Sequence, residues 1–95
     1  MISTNKRTFG SLIRNWRNVM QLNQTKFAEF LGLARCTIAN IERYKSIEET
    51  SDEILYRIYY FSLKIQTLDK YDSYTKYISE YICQVVDNYL LKKLN

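Results

Sequence analysis

The chain has 95 residues, enough for one small domain or for a small domain with an appendage. It contains no proline and only two glycines, a composition that predicts an all-α protein with short connections. No stretch approaches the roughly 20 apolar residues of a membrane span. Residues 1–10 are polar and basic rather than a secretion signal. We therefore expect a cytoplasmic protein with no membrane partner.

Cysteine and histidine usage excludes further classes. Cys36 and Cys83 are too few and too far apart for a disulfide framework or a zinc site, and there is no histidine. We expect two free thiols and no metal or cofactor. An enzyme is also not expected, because the sequence has no phosphate loop, no paired acids on one helix and no base that could activate Cys36.

Charge is distributed unevenly along the chain. Residues 1–46 contain eight basic and two acidic residues, a net charge of +6, whereas residues 47–95 contain six basic and eight acidic residues, a net charge of −2. A basic half is typical of proteins that bind a polyanion. The alternative is a solvated basic face without a partner.

Residues 1–7 are interpreted as a basic N-terminal arm, and helix 1 is predicted from about Thr8 or Phe9 to Met20. Its apolar face includes Trp16, which we expect in the core. The stretch from Gln24 to Arg43 then contains two short helical patterns on either side of Gly32. The spacing predicts that these two helices bury one stripe each and that Gly32 ends the first with a positive φ. The stripes consist of Phe27, Ala28 and Leu31 in helix 2, and of Ile38 and Ile41 in helix 3.

Two further helices are predicted in the second half. Thr50 and Glu53 form a capping box that predicts the start of helix 4 at about Ser51. This helix is expected to end near Leu63 to Gln66. Thr67-Leu68-Asp69 then predicts a last helix from Asp69 to Lys92. Its apolar positions follow a 4-3-4-3-4 spacing. Four of them are predicted to be partly exposed on a monomer and to form a dimer interface: Ile78, Ile82, Val85 and Tyr89. The alternative is that this face packs on helices 1 and 4 of the same chain.

The segment from Gln24 to Glu42 resembles the helix-turn-helix of the Cro and phage-repressor regulators, the xenobiotic-response-element family. The resemblance covers about Phe9 to Phe61. Two positions where many members have glycine hold Gln21 and Tyr44 in this chain. The positions in register with the family are Gln24, Phe27, Ala28, Leu31, Gly32, Leu33, Thr37, Ile38, Ile41 and Glu42. The resemblance implies a four-helix DNA-binding domain over residues 1–66, followed by a C-terminal helix over residues 67–95.

The resemblance also implies that helix 3 enters the major groove of duplex DNA. The candidate base-reading residues are Arg35, Cys36, Thr37 and Asn40. The candidate phosphate-binding residues are Asn23, Gln24, Thr25, Arg43 and Lys45, with Arg7 and Thr8 as weaker candidates. For Gln24 the alternative is a helix cap without a DNA role, and for Arg43 and Lys45 it is simple solvation. Family members hold helix 1 to helix 3 through an Arg–Glu pair, which implies a structural role for Arg17 and Glu42.

These expectations combine into a sequence-specific transcriptional regulator, a repressor that acts as a homodimer on a near-palindromic operator. Two alternatives remain open. One is an antitoxin that represses its own operon and binds a toxin through the C-terminal helix. The other is a helix-turn-helix module that binds a protein instead of DNA.

Overall fold

The computed structural model describes residues 8–94, apart from the side chain of Tyr44, and this part of the chain consists of helices without strands. The five helices are α1 (Phe9–Val19), α2 (Gln24–Leu31), α3 (Arg35–Tyr44), α4 (Asp52–Thr67) and α5 (Ser73–Leu94). The predicted all-α class is confirmed for the described residues. The N-terminal arm of residues 1–7, including Arg7, lies outside them.

Side chains that accept backbone hydrogen bonds fix the starts of α1, α2 and α4. Thr8, Asn23 and Ser51 each accept from the N–H three residues later. The prediction that Thr50 caps helix 4 is therefore wrong by one residue. Thr50 is buried, and its hydroxyl donates to the carbonyl of Ser46 at 2.9 Å, so it is not available as a cap.

The predicted boundary between the last two helices is also wrong. Thr67 is the last residue of α4, and its hydroxyl donates to the carbonyl of Lys64 at 2.8 Å. The carboxylate of Asp72, rather than that of Asp69, accepts from the N–H of Thr75 at 2.8 Å, and α5 begins at Ser73. At its other end α5 continues to Leu94, two residues beyond the predicted Lys92.

One apolar core joins all five helices. Trp16 of α1 is completely buried, as expected, and its indole N–H donates to the hydroxyl of Ser79 in α5 at 2.8 Å. Its ring meets Phe27 of α2 edge-on at 5.5 Å between centroids. The core therefore includes residues from both predicted parts of the chain, 1–66 and 67–95, and α5 packs on α4 and α1.

The buried face of α5 includes one residue that was predicted for the dimer interface. Ile82 is completely buried in the chain's own core, so the expectation that it lies partly exposed on a monomer is wrong. Ile78 and Tyr89 are half-buried and pack against that core, and Val85 is also half-buried. The buried stripe consists of Thr75, Ser79, Ile82 and Val86. Because Ser79 accepts the indole hydrogen bond of Trp16, this stripe and not its neighbour must face α1.

Candidate nucleic-acid interface

The α2–α3 unit turns through Gly32. This residue has φ +71°, as predicted, and it ends α2 while the N–H of Leu33 donates to the carbonyl of Ala28 at 2.9 Å. Arg57 of α4 donates to the carbonyl of Leu31 at 3.1 Å, which satisfies another free acceptor at the end of α2. The turn is therefore fixed by the backbone on one side and by α4 on the other.

A second glycine, which the sequence pattern did not identify, allows α1 to lie directly on α3. A Cβ on Gly10 would collide with the carbonyl oxygen of Ile41 and would lie 2.8 Å from the carbonyl oxygen of Glu42. The only sequence signal was a glycine beside Phe9, three residues before Ile13 of the predicted apolar face of helix 1. Close contact at Gly10 brings the C-terminal part of α3 within reach of the polar side chains of α1.

That contact supports a buried polar network around Glu42, whose side chain is 0% exposed. Arg17 donates twice to this carboxylate, from Nε at 2.7 Å and from Nη2 at 2.9 Å. Its third donor, Nη1, reaches the carbonyl of Leu22 at 2.9 Å. Gln24 of α2 donates to Glu42 at 3.2 Å, and Arg14 approaches it at 3.5 Å. The implied pair of Arg17 and Glu42 is therefore present and joins α1 to α3. The hydrogen bond from Gln24 connects α2 to the same carboxylate.

The surroundings of Glu42 decide its protonation state. Burial by itself raises the pKa of this carboxyl, but hydrogen bonds from Arg17 and Gln24 and the charge of Arg17 outweigh burial, so the pKa is lowered below its usual range. The carboxylate remains charged near neutral pH and is neutralised inside the protein. It therefore does not present an unpaired negative charge beside the outer face of α3.

The side of α3 opposite the core carries the predicted base-reading residues. Arg35, Cys36 and Asn40 are exposed, and Thr37 is half-buried. Ile38 and Ile41 are buried in the core and fix the rotation of the helix. Cys36 is a free thiol, as is Cys83. A guanidinium and a carboxamide are thus presented to solvent on one short, anchored helix.

The predicted phosphate-binding residues have different environments. Asn23 caps α2 by accepting from Lys26 N–H at 2.8 Å, so the cap is Asn23 and the alternative that Gln24 caps the helix is wrong. Gln24 is half-buried and bound to Glu42, whereas Thr25 is exposed at the start of α2. Arg43 is exposed in the last turn of α3, and Lys45 is half-buried just after it.

The described residues form neither a metal-binding cluster nor a membrane span. No group of three or more potential metal ligands occurs among residues 8–94. Within the same range, no helix has both the length and the apolar character needed to cross a membrane.

No family model matches the chain, and neither a curated protein nor a solved structure is significantly similar to it.

Proposed function

We propose that this protein is a transcriptional regulator of the repressor type that binds double-stranded DNA sequence-specifically through α3. The supporting observation is the exposed row Arg35, Cys36 and Asn40 on a helix whose opposite side is anchored in the core. The major groove of B-DNA admits one α-helix and presents a distinct donor and acceptor pattern for each base pair. The α2–α3 unit acts in this proposal as a helix-turn-helix of the Cro type.

Each side chain of the row has a defined role in the proposal. Arg35 donates two hydrogen bonds to O6 and N7 of a guanine, and Asn40 pairs with N6 and N7 of an adenine. Cys36 and Thr37 are short and contact a thymine methyl group or a phosphate. The role of Ile38 and Ile41 is indirect, since they hold the helix at the angle from which the outer row reaches the base edges.

Phosphate contacts fix the position of α3 in the groove. The first backbone N–H groups of α2 and its positive dipole end favour a phosphate next to Thr25. Arg43 and Lys45 follow at the far end of α3. Asn23 and Gln24 contribute to phosphate binding by ordering the first turn of α2. Asn23 caps this turn, and Gln24 links it to Glu42. The net charge of +6 over residues 1–46 provides the general attraction.

Selection of duplexes from a random pool, followed by titration of the preferred sequence, tests the proposal. We expect Arg35→Ala and Asn40→Ala each to reduce discrimination by about 1–3 kcal/mol at one base pair. Arg43→Ala should weaken preferred and random duplexes about equally. Lys64→Ala removes one exposed positive charge on α4 and is the matched control. An unchanged preferred sequence for Arg35→Ala, or an affinity that does not fall with salt, would contradict this mode of binding.

A single α3 reads only a few base pairs, so the proposal includes a homodimer. Two copies related by a two-fold axis place their α3 helices in successive major grooves, about 34–36 Å apart, and read a near-palindromic operator. The buried position of Ile82 removes it from the predicted interface, so a dimer contact on α5 must use other residues of that helix.

A further inference from the structure

We propose that a second copy of this chain docks in parallel on the outward face of α5. The surface, called here the outer seam, consists of Tyr74, Tyr77, Tyr81, Gln84, Asn88 and Leu91, all of them exposed. Tyr77 is 64% exposed and Tyr74 is 57% exposed, high values for aromatic side chains on a helix whose other face is buried. The inference names the partner that the proposed DNA-binding function requires and rests on that function for its biological role.

The outer seam has the residue spacing of a stripe that pairs with another helix. Its residues recur at intervals of 3-4-3-4-3 along α5. This is the spacing that keeps one stripe of a helix against a second helix over several turns. The stripe that faces the chain's own core is a different one, formed by Thr75, Ser79, Ile82 and Val86. α5 thus has two stripes, of which the core covers one.

The side chains of the outer seam are suited to pack against the same side chains of a second copy. None of the six is charged, and tyrosine is enriched in protein interfaces because it buries a large ring while keeping a hydroxyl for hydrogen bonding. In a parallel pair each seam residue meets its counterpart. The amide of Asn88 or Gln84 can then donate to, and accept from, the same amide of the other copy. A seam asparagine of this kind fixes the register of two paired helices.

Charges beside the seam determine the direction of pairing. Glu80 and Asp87 lie on one flank of the outer seam, and Lys92 lies on the other. In a parallel pair a residue on the first flank faces the residue five positions later on the partner's second flank. Asp87 then faces Lys92 of the partner subunit, once on each side of the two-fold axis. In an antiparallel pair the acidic flank would face itself, with like charges opposed.

A competing surface lies between α2 and α4. Phe30, Tyr56, Tyr60 and Phe61 line an open groove of about 720 Å³ there. Four charged side chains also line this groove, and they carry both signs: Asp52, Glu53, Arg57 and Lys64. It lacks the repeated spacing and the uncharged surface of the outer seam. Tyr60 is 64% exposed, the same as Tyr77, and therefore provides a control of equal accessibility.

The test is the mass of the full chain in solution without DNA, measured by sedimentation. We expect the unmodified chain to be a dimer, Tyr77→Glu to be a monomer and Tyr60→Glu to remain a dimer, with circular dichroism confirming that each is folded. Tyr81→Glu, at a position 47% exposed, repeats the test at a second seam residue. A monomeric unmodified chain would overturn the proposal, as would dissociation by Tyr60→Glu and not by Tyr77→Glu.

A charge exchange tests the parallel direction. Lys92→Asp should raise the dissociation constant of the dimer, since it opposes two acids, and adding Asp87→Lys in the same chain should restore it. Failure of the double variant to recover, in a folded protein, would overturn parallel pairing. Because DNA is absent from these measurements, failure of the outer seam remains distinguishable from failure of DNA binding. The Arg35→Ala duplex selection addresses DNA binding alone.

Discussion

The α2–α3 unit and α5 are held in the molecule by different interactions. The α2–α3 unit shares the apolar core with α1 and is also fixed to α1 by a buried ion pair, in which Arg17 makes three hydrogen bonds to Glu42 and Leu22. α5 is fixed mainly by apolar packing, with two polar links: the buried hydrogen bond from Trp16 to Ser79 and the exposed ion pair between Lys93 and Asp52 of α4. Directional polar bonds together with a narrow apolar stripe fix the rotation of a helix, whereas a helix with apolar residues around much of its circumference can pack in several rotations of similar energy.

The two regions also expose different chemistry. α3 presents Arg35, Asn40 and Arg43, which suit a charged polar partner. α5 presents uncharged tyrosines, which suit a protein partner. The proposed DNA-reading helix depends on an internal ion pair, whereas the proposed dimer surface lies on a helix that is held mainly by apolar packing.

Removing Arg17 should have the largest effect on stability. Arg17→Met keeps an apolar stem but leaves the buried carboxylate of Glu42 without its main partner, so we expect the free energy of unfolding to fall by about 3–5 kcal/mol. Arg14→Met is the matched control, because Arg14 is 54% exposed and 3.5 Å from the same carboxylate. It should cost at most about 1 kcal/mol. Equal losses in urea unfolding would show that Arg17 does not dominate the network.

Truncating the side chain of Ile82 tests how strongly α5 contributes to the core. Ile82→Ala should lower the free energy of unfolding by about 2–5 kcal/mol, because it leaves a cavity in the core shared by all five helices. Leu63→Ala, at a position 38% exposed on α4, should cost clearly less. Thermal unfolding of both variants gives the comparison. A loss for Ile82→Ala no larger than for Leu63→Ala would mean that α5 is not part of the core.

The sequence predicted the α2–α3 unit more completely than α5, for a physical reason. Helix 3 has one narrow apolar stripe, Ile38 and Ile41, so its buried side is unambiguous. α5 has apolar or aromatic residues around much of its circumference, and periodicity alone could not decide which stripe faces inward. The deciding contact, Trp16 to Ser79, joins residues 63 positions apart and leaves no local signal in the sequence.

Gly10→Ala should disrupt the α1–α3 contact. The added Cβ meets backbone carbonyls of α3 and cannot be accommodated by a side-chain rotation, so we expect a loss of about 1–3 kcal/mol or more. Ser11→Ala, one residue further along at an exposed position, is the control and should be close to neutral. Chemical unfolding measures both. A Gly10→Ala variant as stable as the unmodified chain would show that α1 and α3 can separate without cost.

Acid should weaken the α2–α3 region through Glu42. The pKa of Glu42 is lower in the folded protein than in the unfolded chain, so its contribution is fully present above the unfolded value and is lost as the pH falls through the folded value. We expect stability to fall as the pH decreases below about 4.5. In Glu42→Gln this part of the pH dependence should be absent. An identical pH profile for the variant would assign acid sensitivity to other carboxyls.

Gln21→Gly should produce the smallest effect and the opposite sign. Gln21 follows α1 with φ +61°, the one positive value outside glycine among the described residues, at a position where many regulators of the resembled family have glycine. A side chain in this conformation costs about 1–2 kcal/mol, whereas glycine adopts it freely but loses about 0.5–1 kcal/mol through its more flexible unfolded chain. The balance predicts a gain of about 0.5–1 kcal/mol. Gln21→Ala removes the same polar group but keeps a Cβ, so it should gain nothing. If alanine stabilised the protein as much as glycine in urea unfolding, the cost would reside in the glutamine side chain and not in the backbone.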